Sequence, residues 1–146
     1  MAMAERRAEI EWKGDLAHGR GAVTVGSGAF PEFSVTWASR TERSEGLTSP
    51  EELIAAAHAS CFSMAFSHDL AEAGTPPDRL KVNATATLDL VDVGLRITTM
   101  ELDVRGWVPG IDARAFEEAA VAAKNGCPVS NALTGVDIRI KAHLEE

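Results

Sequence analysis

From Ala8 to Val35 short runs of alternating apolar and polar residues are broken by glycines at 14, 19, 21, 26 and 28. This is the pattern of strands joined by tight turns, and Phe33-Ser-Val-Thr-Trp37 continues it. At Thr48 the rhythm changes. Ser49 is placed to cap a helix whose first residue is Pro50, with Glu52 completing a capping box. The helix is predicted to run through Leu53, His58, Cys61 and Phe66 to about Ala73, where Gly74 and Pro76 stop it. It is apolar nearly all round and rich in Ala and Ser, which predicts a central helix with close neighbours. Strands follow over Leu80 to Val91 and Leu95 to Val108, with Val93-Gly94 as the hairpin turn. Asp112 caps a second helix from Ala113 to about Lys124, closed by Asn125-Gly126. Pro128 opens a short helix to about Leu133, and Val136 to Leu144 alternates as a last strand. No strand–helix unit repeats, and no Gly-rich loop follows a strand, so a parallel nucleotide-binding sheet is set aside. The expected fold class is α+β, with mainly antiparallel sheet packed on two helices, in a single domain over residues 1–146.

The 146 residues are enough for a self-sufficient core, and with 45% apolar and 25% charged residues the composition is that of an ordinary globular chain. A net charge of −8 argues against nucleic acid as a partner, since that affinity rests on clustered Lys and Arg. The start of the chain is charged and no apolar stretch approaches the ~18 residues of a membrane span, so a cytoplasmic location is expected and no membrane partner. That location bears on the two cysteines, Cys61 and Cys127. Cytosolic thiols are held reduced, and a disulfide there is more often transient and catalytic than structural. Two inert, buried thiols are the plain alternative.

Cys61 sits mid-helix on a face that meets other protein, and burial alone would raise its pKa and make it inert. It needs a cation or donor nearby, and the local sequence offers only His58, three residues back on the same face. Cys127 stands before Pro128, which bars it from helical conformation and leaves it as the cap of the short helix, where unpaired N–H groups favour thiolate. Glu51 is left without a local duty by the capping box, although a carboxylate in a first helical turn needs no other reason. Arg40 and Arg43 read as part of a solvated charged loop. His18, His68 and His143 are isolated, and no Cys/His spacing matches a zinc site, so no metal is expected.

Thr48-Ser-Pro-Glu-Glu-Leu-Ile-Ala-Ala-Ala-His-Ala-Ser-Cys61-Phe-Ser-Met-Ala and Asn125-Gly-Cys127-Pro-Val-Ser together resemble the two cysteine signatures of the OsmC/Ohr family. The resemblance covers essentially the whole chain. Trp12-Lys-Gly-Asp, Val108-Pro-Gly-Ile-Asp and His58, where the Ohr branch usually has Tyr, place it with the OsmC branch. The resemblance implies a thiol-dependent peroxidase of organic hydroperoxides, and of some hydrogen peroxide, built as an intertwined homodimer with sites at the subunit interface. It implies no bound cofactor and an external dithiol as reductant. Cys61 would be the peroxidatic cysteine, which becomes a sulfenic acid, and Cys127 the resolving cysteine that closes a disulfide with it. Glu51 falls on the family's glutamate. Arg40 is the first candidate for its arginine and Arg20, in Gly19-Arg-Gly, the second. A guanidinium near the sulfur would favour thiolate, and a carboxylate would orient it.

Glu51 and Cys61 are ten residues apart, about 15 Å along a straight helix at ~1.5 Å per residue. If both serve one site, the arginine bridges part of the gap or the glutamate comes from the partner subunit, and either way the site belongs at a dimer interface. Met64 and Phe62 or Phe66 are candidate pocket residues suited to an alkyl hydroperoxide, unless they are ordinary core. Two rival readings remain: acyl transfer or hydrolysis by a Cys61–His58 dyad, which lacks local oxyanion donors in mid-helix, and a non-catalytic protein of the same fold.

Overall fold

The computed structural model describes residues Met1–Glu146, which form two compact units, Met1–Leu53 and Ile54–Glu146. The first unit holds β1 (Ala8–Lys13), β2 (Arg20–Val25) and β3 (Phe33–Val35), an antiparallel sheet in the order β1-β2-β3. Gly21 lets the strands close up: a Cβ there would lie 2.8 Å from Ile10 and 2.9 Å from Val35 side-chain carbons. The strand expected to run on to Trp37 stops at Val35. Trp37–Thr41 is instead a short helix, α1, because Thr36 and Ser39 cap each other reciprocally, each side chain accepting the other's backbone N–H. Arg40 therefore sits on a helix and not in a charged loop.

The long helix α2 (Pro50–Glu72) begins as expected. Ser49 Oγ accepts the Glu52 N–H at 3.2 Å, but the Glu52 carboxylate takes the Thr48 hydroxyl at 2.7 Å and does not return to the cap's own N–H. The capping box is thus half made, with Thr48 as the competing donor. At the other end Gly74 takes φ +88°, the left-handed conformation that ends helices, and the Thr75 N–H bonds Leu70 O.

The second unit contains most of α2, then β4 (Arg79–Val91), β5 (Gly94–Trp107), α3 (Ala113–Gly126), α4 (Pro128–Ala132) and β6 (Asp137–Leu144). Its sheet has the order β4-β5-β6. β4 and β5 form a long antiparallel hairpin, turning at Asp92-Val93, one residue earlier than the pattern suggested. β6 runs parallel to β5, because the chain between them crosses back through α3 and α4. The α+β class with largely antiparallel pairing holds, and this last pairing is its parallel exception.

Along β5 the alternation puts Met100, Leu102 and Val104 on one face, where all three are fully buried. Against them pack Phe62, Phe66 and Leu70 of α2 and Phe116, Ala120 and Ala123 of α3. Three aromatic rings form a row, with centroids 5.4 Å apart for Phe62 and Phe66 and 5.2 Å for Phe66 and Phe116. α2 does not meet the expectation of burial all round. His58, Phe62, Phe66 and Leu70 make one buried stripe at four-residue spacing, while Ala56, Ala57, Ser60 and Met64 stay exposed on other faces. The single chain supplies neighbours for one side of this helix.

Gly106 of β5 carries the tightest constraint in this unit, since a Cβ there would fall 2.5 Å from the Phe116 ring. A rigid buried ring cannot yield that distance cheaply, so Gly106→Ala is expected to cost about 1–3 kcal/mol by overpacking. Urea unfolding of the variant against the parent checks this, and an unchanged midpoint would refute it.

Candidate active site

The chemistry-bearing residues fall into two groups. In the first unit Arg40, in the last turn of α1, meets Glu51, in the first turn of α2. Arg40 Nε lies 2.9 and 3.2 Å from the two carboxylate oxygens and Nη2 lies 2.8 Å from Oε1, so the guanidinium fork is held by a carboxylate that is itself buried. Both ends of the pair are thereby fixed in direction. Arg20 has a different partner, donating from Nε to Ser34 Oγ at 3.2 Å on an exposed strand. Of the two candidate arginines, Arg40 is the one paired with Glu51.

In the second unit Cys61 of α2 and Cys127, between α3 and α4, bring their sulfurs to 3.0 Å, across 66 residues of sequence. Cys127 is the last cap of α3 and the first of α4, with φ −66° and ψ 130°. Pro128 imposes that extended conformation. It also explains why Gly126, expected to end α3 as a left-handed cap, is simply its last helical residue.

The two sulfurs share a hydrogen bond and are not equivalent. Burial pushes the Cys61 thiol up, and its hydrogen bond to the Cys127 sulfur adds to this against a smaller pull from the Val129 N–H. Burial also opposes ionisation of Cys127. There it is outweighed by the hydrogen bond from Cys61, the N–H and hydroxyl of Ser130 and the N–H of Val129, so its pKa lies below the ordinary thiol range. Of the two thiols Cys127 is therefore the one whose surroundings favour ionisation. Access runs the other way: Cys127 is completely buried, and Cys61 is only partly so.

His58 turns its ring to α4, with Nε2 2.7 Å from Ser130 Oγ. That nitrogen is committed to Ser130, which leaves the Cys61–His58 dyad of the acyl-transfer reading unmade. In the sequence Ser130 carries no signal of a role beyond ending the Asn125-Gly-Cys127-Pro-Val-Ser signature. Phe62 and Phe66 are fully buried core residues. Met64 is 73% exposed and borders an open depression of about 600 Å³ with Ser63, Ser67, His68 and Arg79. No helix is long and apolar enough to cross a membrane.

Residues 43–141 match the family model described as OsmC-like protein. The chain belongs to this family. The matched stretch contains Glu51, Cys61 and Cys127, and Arg40 lies just before it. Peroxiredoxin OsmC of Escherichia coli (strain K12) is 44% identical over 128 residues, which span 88% of this chain and 89% of that protein. The protein of the same name from Shigella flexneri gives the same values. Among solved structures, the organic hydroperoxide resistance protein OhrB of Bacillus subtilis superposes with a TM-score of 0.78 at 25% identity, over 99% of this OsmC-like chain and 100% of that one. An organic hydroperoxide resistance protein from Elizabethkingia anophelis reaches the same TM-score at 21% identity and shares the fold.

Proposed function

We propose that this chain is a peroxidase that reduces organic hydroperoxides through a Cys61–Cys127 dithiol and is returned to its reduced form by an external dithiol. The peroxidase class follows from 44% identity to the OsmC peroxiredoxins over most of both chains. The observation that carries the mechanism is a pair of thiols 3.0 Å apart of which only Cys61 is reachable from outside. A hydroperoxide can meet Cys61, and the buried Cys127 lies within reach of the Cys61 sulfur.

In the first step the Cys61 thiolate attacks the near oxygen of the peroxide, the O–O bond breaks, and the alkoxide leaves and takes a proton to become the alcohol. Cys61 is then a sulfenic acid. In the second, the Cys127 sulfur displaces hydroxide from it and the disulfide forms. Two thiolates of the external dithiol then exchange with the disulfide and restore the pair, with no bound cofactor. Since burial disfavours the Cys61 thiolate, the first step needs a cation to draw the charge onto that sulfur. The Arg40–Glu51 pair is suited to this: the carboxylate fixes the guanidinium, and the guanidinium stabilises both the thiolate and the charge building on the peroxide oxygen.

Both units serve one function, in a cytoplasmic homodimer. Ten residues of helix between Glu51 and Cys61 favour a site shared by two chains, and the exposed small and apolar face of α2 suits burial against a second copy. A single test covers the reading. Reduced protein mixed with a stoichiometric dose of cumene hydroperoxide should lose two thiols per chain and release cumyl alcohol. Thiols that survive that dose would overturn it.

A further inference from the structure

The helix α1 has five residues, too few to hold its place by its own hydrogen bonds, so its position depends on contacts outside it. Two of its side chains cross to the entry of α2. Arg40 reaches Glu51, and Ser39, the residue before it, donates from its hydroxyl to Thr48 O at 2.9 Å. Ser39 is buried, and its hydroxyl is used in full. It accepts the Thr36 N–H at 2.9 Å and shares its one proton between Thr48 O and, at 3.0 Å, Thr36 O. Thr48 is held from its other side as well. Its N–H donates to Ser34 O at 3.2 Å, and Val35 pairs with it as a short parallel bridge. The end of β3, the start of α1 and the approach to α2 are thus tied at one point, and Ser39 Oγ is the atom that joins α1 to Thr48. The covalent path from Arg40 to Glu51 gives no such guidance. Residues 41–46 are all exposed and turn back through Glu45 at φ +47° and Gly46 at φ +82°.

We propose that Ser39 is a positioning residue for Arg40: its hydrogen bond to Thr48 sets α1 against the entry of α2, so that the guanidinium meets Glu51 in one fixed direction. The inference rests on the peroxidase reading, in which Arg40 stabilises charge on Cys61 and on the peroxide oxygen. Ser39 touches no bond that forms or breaks. Its effect is on the freedom of its neighbour. A carboxylate can hold a guanidinium in many orientations if the helix that carries the guanidinium is free to shift, and the long arginine side chain adds rotamers of its own. A second link one residue away removes the first of these freedoms before substrate arrives. Such a direction set in advance matters more to the rate of a reaction than to the stability of the fold, because a small misplacement of a group that stabilises developing charge is costly.

The test has two arms. In the first, nitrogen NMR of the isotope-labelled, reduced protein follows the Nε–H signal of Arg40, identified by its absence in Arg40→Ala. Ser39→Ala should raise the exchange of that proton with water about tenfold, while Ser39→Thr, which keeps the hydroxyl, should hold it near the parental rate. Thr36→Ala removes the other half of the capping box and spares the bond to Thr48, so it should leave the signal close to the parent's. In the second arm, Ser39→Ala should lower kcat/KM for a hydroperoxide about tenfold, part of the about 10²-fold loss expected when the guanidinium is deleted, and Ser39→Thr should recover it. A merely structural role would carry that loss into any background. Acting through Arg40, Ser39→Ala should cost nothing further in an Arg40→Ala chain, the non-additivity of two residues that work as a unit. An Arg40 signal that exchanges alike with and without the Ser39 hydroxyl, or a tenfold loss that persists in the Arg40→Ala chain, would overturn the proposal. The first arm involves no peroxide, so a chain that does not reduce hydroperoxides and a Ser39 that does not hold Arg40 are separately visible.

Discussion

Replacing Cys61 by serine is expected to cut hydroperoxide reduction by about three orders of magnitude or more, the scale of loss when a covalent nucleophile is deleted. An alcohol in a partly buried helical position does not ionise at neutral pH, and its oxygen cannot form the sulfenic state on which the second step depends. The inequality of the two cysteines gives this experiment its force. By charge alone Cys127 would be the attacker, since its environment favours thiolate and that of Cys61 does not. By access alone the attacker is Cys61, since Cys127 is fully buried. Access decides, because no degree of ionisation helps a sulfur that the peroxide cannot touch. Cys127→Ser should accordingly keep the first turnover, lose one thiol in place of two, and go on to sulfinic acid under excess peroxide, as mass spectrometry would register. If Cys61→Ser kept its activity while Cys127→Ser lost it, the roles would be reversed.

How far the sequence leads depends on how local the cause of each feature is. The cap of α2 was legible, since Ser49 and Pro50 act within one turn, and so was the extended backbone at Cys127, since Pro128 forces it. The helix α1 was hidden by Trp37, which prolongs an alternating run, while its capping box closes with Ser39 where a Glu or Gln gives the usual signature. By local pattern Arg40 is consequently a loop charge, and only the family resemblance singles it out; its pairing with Glu51 comes from the structure. The 3.0 Å approach of Cys61 to Cys127 and the bond from His58 to Ser130 cross 66 and 72 residues. They exist because the crossover from β5 to β6 carries α4 onto α2, and no short-range pattern encodes that path. The family signatures pointed to the cysteine pair, but they did not show that its surroundings push the Cys61 pKa up and the Cys127 pKa down. The apolar character of α2 suggested cover on every side, whereas the structure buries one stripe, His58, Phe62, Phe66 and Leu70, and leaves Ala56, Ala57, Ser60 and Met64 exposed.

The largest expected effect outside the cysteines comes from Arg40, and it also tests where the site is assembled. Arg40→Ala should lower peroxidase activity by about 10²-fold or more, since the cation that draws charge onto Cys61 and onto the breaking peroxide bond is gone. Mixing this variant with Cys61→Ser distinguishes two architectures. If each site used Arg40 and Cys61 of the same chain, every site in a mixed dimer would carry one lesion, and mixing would restore nothing. If each site takes Cys61 from one chain and the Arg40–Glu51 pair from the other, a mixed dimer holds one site with both lesions and one with neither. Random exchange makes half the dimers mixed, so about a quarter of the parental activity should return, as two-fold symmetry requires. The measurement is peroxide consumption after co-refolding the two inactive variants, with each refolded alone as reference. Recovery near one quarter supports a site made by two chains; activity that stays at the level of the separate variants would confine the site to one.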